Sequence, residues 1–225
     1  MTQRRFSITS LLTLALLTLI LCASATAAII LDNTNGATSP LAGYSSVNVL
    51  RWNVRAFTTP DVQWKLESVV MGFYDDNSPA SRTIYARLFT AGADNKPTGS
   101  ALYTASTTVP LTPTSQYIPI TFDVPWLLQA STKYAFVVNS DAPNGTYSSW
   151  TAPNPPATYT ANNGFVYNGG VRTLDGGSTW INLSYNNSME LTGSTASAVP
   201  EPSTYALFSL GLGGLALWKR RQKKA

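Results

Sequence analysis

Residues 132–140 read TKYAFVVNS. In an extended chain Tyr134, Phe136 and Val138 fall on one face, and Lys133, Ala135 and Val137 fall on the other. β-branched and aromatic residues dominate, and no apolar spacing of three and four is present, so the run predicts a strand rather than a helix. The polar stretch DAPNGT (141–146) follows it and ends it in a turn.

The same pattern recurs outward in both directions. Strands are predicted at VLRWNVRAFTT (49–59), WKLESVVMGFYD (64–75), RTIYARLFTA (82–91), SALYTASTTVPL (100–111) and QYIPITFDV (116–124). Beyond 140 they continue at YSSWTA (147–152), GFVYNGG (164–170) and WINLSYNNSMELTG (180–193). DDNSPAS, GADNKPTG, APNPPA and DGG separate them as turns. Short strands with turn signals every 8–12 residues or so indicate an all-β, antiparallel β-sandwich, jelly-roll-like, over residues 28–193. Its core runs from about Ile30 to Leu191.

The net charge of +4 belongs to the chain ends. Seven of the 15 Lys and Arg lie there, leaving eight in the middle against ten of the 11 acids, a net of −2 for the body. No basic face is expected, and nucleic acid is not an expected partner. The chain has no histidine, which removes His-based triads and the usual zinc or copper ligands. No phosphate-binding loop or dinucleotide fingerprint is present, and no cofactor is expected.

The N-terminus carries Arg4 and Arg5, then the apolar FSITSLLTLALLTLILC (6–22), then the small residues ASATAA (23–28). This is the layout of a secretory signal peptide, residues 1–27, cut by signal peptidase after Ala27, with Ala25 and Ala28 as nearby alternatives. Cys22, the only cysteine, is lost with it, so the mature chain forms no disulfide and relies on its core.

At the other end a spacer (194–199) leads to VPEPSTYALFSLGLGGLALWKRRQKK. Residues 203–218 make a single transmembrane helix about 24 Å long at 1.5 Å per residue, short for a span but usable in a thin bilayer. Tyr205 and Trp218 suit the interfaces. Lys219, Arg220, Arg221, Lys223 and Lys224 hold residues 219–225 in the cytoplasm. Pro200 and Pro202 keep the residues before them extended, with Glu201 between. This end (200–225) resembles the PEP-CTERM sorting signal of Gram-negative bacteria. The resemblance implies an exosortase as processing partner, a single-pass stage in the inner membrane, and then release or attachment at the cell surface.

The body resembles the choice-of-anchor group of exported domains, type R-like. AFTT (56–59), ESVVMGFY (67–74), IYARLFT (84–90), NKPTGSALY (95–103) and LLQASTKYAFVV (127–138) carry that resemblance. It implies a non-enzymatic surface or matrix protein associated with exopolysaccharide or biofilm, and it brings no catalytic residues.

Within the body Asp75 and Asp76 offer calcium little, since two acids in one turn are sparse ligands. Glu67 and Glu190 are the glutamates from which a carboxylate-only glycosidase would draw. TLDGGSTW (173–180) has the spacing of an Asp-box and is expected to act as a local turn over Trp180. The aromatic, polar segment 147–167 is the expected ligand surface of a glycan-binding module, through Tyr147, Trp150, Tyr159 and Tyr167.

Overall fold

The computed structural model describes residues 26–34, 43–74, 81–109, 117–143, 148–152 and 158–196. Among them every regular element is a strand, and the strands form two antiparallel sheets. The first holds β1 (Ala28–Asp32), β2 (Gly43–Val47), β4 (Trp64–Tyr74), β7 (Tyr117–Leu128), β9 (Ser148–Ala152), β10 (Thr160–Ala161) and β13 (Met189–Thr195). The second holds β3 (Trp52–Thr58), β5 (Arg82–Ala91), β6 (Pro97–Val109), β8 (Lys133–Ser140), β11 (Val166–Thr173) and β12 (Ile181–Asn182).

β4 organises the first sheet. β7 pairs along its whole length on one edge, so β13 and the tip of β9 share the other. The second sheet runs β12-β11-β3-β8-β5-β6. The connections β3 to β4, β4 to β5, β6 to β7, β7 to β8 and β8 to β9 each pass between sheets. Contacts distant in sequence therefore close the core.

The period of two is visible in burial. On β7 Ile120, Phe122, Val124, Trp126 and Leu128 are buried, while Thr121, Asp123, Pro125 and Leu127 are exposed. They meet Trp64, Leu66, Val69, Met71 and Phe73 of β4 and, from the facing sheet, Phe57, Ile84, Leu88, Tyr134, Phe136 and Val138. Full burial of each such aliphatic or Phe side chain contributes about 1.5–3 kcal/mol. β8 is buried on both faces. Its outward Ala135 and Val137 form a second apolar cluster with Val54 and Val171, flanked by Trp52, Phe89, Ala91 and Trp180.

The structure adds to the sequence reading in three places. β1 and β2 are strands that lie outside the segments read as such, and Ile30 and Leu31 of β1 are fully buried. The run at 180–193 divides into β12 and β13, because Asn187 and Ser188 turn inward and bond outside any ladder. β13 continues two residues into the expected spacer, where Ser194 and Thr195 pair with Lys65 and Trp64. Among the described residues no helix is long and apolar enough to cross a membrane. The helix expected at 203–218, the sorting triplet, the basic tail and most of the signal peptide lie outside the described residues.

Candidate functional site

Three of the four aromatic residues expected at a ligand surface lie in or against the core, and Tyr147 falls outside the described residues. This corrects their reading as an exposed patch. Trp150 on β9 is completely buried and donates its indole N–H to the Ser188 carbonyl at 2.9 Å. Tyr159 is buried and donates to the Asn187 carbonyl at 2.5 Å. Tyr167 on β11 is half-buried, with its ring centroid 4.6 Å from that of Tyr159 and its hydroxyl donating to Asn186 at 2.7 Å. Alternation turns Trp150 of β9 and Tyr167 of β11 inward, and the polar tips of all three find partners inside.

At their centre sits Arg55, on the inward face of β3 and wholly inaccessible. Its guanidinium lies 5.3 Å from the Trp150 ring and donates to the carbonyls of Val54 and Tyr185 and to Asn187 Oδ1. Among the described residues no carboxylate pairs with it, and its Nε has no acceptor. Gly170 leaves the space: a Cβ there would run into the guanidinium. Burial, partly offset by Arg55, raises the Tyr159 phenol far above its usual range, so the group is a hydrogen-bond donor at any working pH. The cluster is a sealed polar network suited to clamping β9 and residues 186–189 onto β3.

The expected turn at 173–180 forms. Asp175 accepts from Thr173 Oγ1 at 2.6 Å, from the Thr179 amide at 2.8 Å and from Thr179 Oγ1 at 2.7 Å. These bonds, from Thr173 and then Thr179, hold its carboxyl down at about 2. Gly176 and Gly177 adopt φ of +70° and +101°, which a side chain would resist. A Cβ at Gly177 would lie 3.7 Å from both Trp52 and Trp180, so the turn stands beside the aromatic cluster on the outer face of the six-stranded sheet.

Glu67 and Glu190 have different surroundings. Glu67 accepts from Ser194 Oγ at 2.8 Å and lines a shallow depression of about 390 Å³ with Lys65, Pro125 and Leu127. Glu190 stands cross-strand from Asp32, and burial, then Asp32, raises its carboxyl above the usual range. Asp75 and Asp76 lie outside the described residues, and among those described no cluster of three metal-ligating side chains occurs.

The two ends of the body lie side by side. Ala28, the first residue after the expected signal cleavage, pairs with Gly193, and Ala196 donates to the Gln63 carbonyl at 2.9 Å where the chain leaves the sheet. This architecture is an all-β sandwich whose C-terminal segment departs beside its N-terminal strand. Residues 198–221 of that segment match the PEP-CTERM protein-sorting motif. The motif implies export, a membrane-anchoring tail and processing by an exosortase. No curated protein matches the chain.

Proposed function

We propose that the protein is a non-enzymatic component of the cell surface or extracellular matrix, associated with exopolysaccharide or biofilm. The sorting motif at residues 198–221 carries the reading. In it a signal peptidase frees Ala28, and an exosortase acts near Pro200, Glu201 and Pro202. The domain, of the choice-of-anchor kind, is then released or attached outside. The adjacency of Ala28 and Gly193 supports this order, since both membrane-directed segments leave one end of one sheet. The test replaces Pro200, Glu201 and Pro202 together by Ala, in hosts with and without an exosortase. Fractionation and C-terminal peptide mapping should show wild type lacking Leu207–Ala225 only where the exosortase is present, and the variant retaining them in both. Equal processing of the variant would reduce the tail to a plain anchor.

A second reading, a glycan-binding module, is favoured by one observation: the outward face of the six-stranded sheet carries half-buried aromatic residues on β3 and β5, the two strands that flank β8.

A further inference from the structure

An outward sheet face is ordinarily polar. Here β3, β8 and β5 present Trp52, Val54 and Ala56, then Ala135, Val137 and Asn139, then Tyr85, Arg87 and Phe89. The small residues are covered, while Trp52, Tyr85, Arg87 and Phe89 are half-buried.

Register places three of these in one row. Asn139 pairs with Tyr85, and Trp52 stands one step beyond the Asn53–Val138 pair, opposite Asn139. The two rings thus arise from strands roughly 10 Å apart, two inter-strand spacings, with the amide between them. Asn139 is 5% exposed and its Oδ1 accepts no hydrogen bond. Orphaned buried acceptors are rare and call for a partner. Beside them Arg87 lies over the Tyr85 ring, 4.9 Å from its centroid, and makes no ion pair among the described residues. Its cross-strand neighbours are the neutral Val137 and Thr104. Trp52 is fixed in place: its indole donates to the Val49 carbonyl at 2.9 Å.

We infer that this face is a binding site for an acidic oligosaccharide, stacked on Trp52 and Tyr85, with a hydroxyl on Asn139 Oδ1 and a carboxylate on Arg87. The inference rests on the glycan-binding reading above. A sugar ring offers an apolar C–H face to an aromatic ring and hydroxyls to an amide. A guanidinium matches a carboxylate in a planar, two-bond geometry. Nucleic acid would call for a row of cations, whereas Arg87 shares this face with Lys133, whose ammonium donates to the Ala93 carbonyl at 3.0 Å.

The full chain, purified in detergent, is titrated by calorimetry with a uronic-acid hexasaccharide and a neutral hexasaccharide. The uronate is expected to bind more tightly, and Arg87→Gln to weaken it about tenfold or more, the loss of a charge-assisted bond. Thermal melting checks that the variant is folded, and Tyr85→Ala should weaken both sugars. Equal affinity for the two sugars would overturn the acidic assignment and leave glycan binding standing. Binding unaffected by both variants would overturn the site while leaving glycan binding standing. No binding of either sugar would overturn both.

Discussion

Replacing Asn187 by Ala probes the buried network around Arg55. The Asn187 side chain has no exposure; its Oδ1 accepts from Arg55 and its Nδ2 donates to the Trp150 carbonyl at 2.8 Å. Alanine keeps the backbone carbonyl that serves Asn33 and Tyr159 and removes both side-chain bonds. A bond to a charged group contributes about 1.5–3 kcal/mol, and a buried carbonyl left alone costs about 1–3 kcal/mol. The expected destabilisation is therefore about 3–5 kcal/mol. At about 2–4 °C per kcal/mol for a domain of this size, the melting temperature should fall by roughly 6–20 °C. Thr90→Ala is the control. It also removes side-chain hydrogen bonds, to Thr98, but at an exposed site, and should change stability by no more than about 0.5 kcal/mol. Scanning calorimetry of both variants decides the matter. If Asn187→Ala melts within about 2 °C of wild type, the network does not hold the core and the argument from burial fails.

Gly193→Ala should destabilise by about 1–3 kcal/mol by overpacking, read as a lower urea midpoint, because its Cβ would run into the Lys65 carbonyl and lie 2.8 Å from Ile30 Cδ1. Glu190→Gln should stabilise the protein at pH 7. A carboxyl raised above 4.5 in the fold binds its proton more tightly there, so wild-type stability falls as pH rises through the folded value. The gain should vanish below pH 4.5 in denaturant titrations across pH. Asp175→Asn should have the opposite pH signature. The carboxyl is held at about 2 against 3.8, so its contribution is present above 3.8 and lost as pH falls towards 2, where mutant and wild type converge. The same substitution should alter the near-ultraviolet dichroism of Trp180, which the turn supports.

Much of the architecture was legible in local pattern. Alternation in TKYAFVVNS and RTIYARLFTA announced β8 and β5, and Asp175 with its flanking glycines announced the turn, because backbone geometry and turn chemistry act over a few residues. The sorting tail was equally readable, since a proline-bracketed glutamate, an apolar run and a basic end are linear features. β1 and β2 were harder: AIILD and GYSSV are too short to show a period. Which aromatics face solvent was not legible at all. Trp150 and Trp52 both sit in short strands, yet one is sealed against Arg55 and the other lies on the outer face. That difference depends on which strands pair and which face of each sheet meets the other. So does the row Trp52–Asn139–Tyr85, assembled from strands 33 to 87 residues apart. Local sequence determined the strands, the turns and the address. Tertiary pairing alone decided the buried arginine and the outward platform, because burial and cross-strand adjacency are properties of contacts that no local stretch contains.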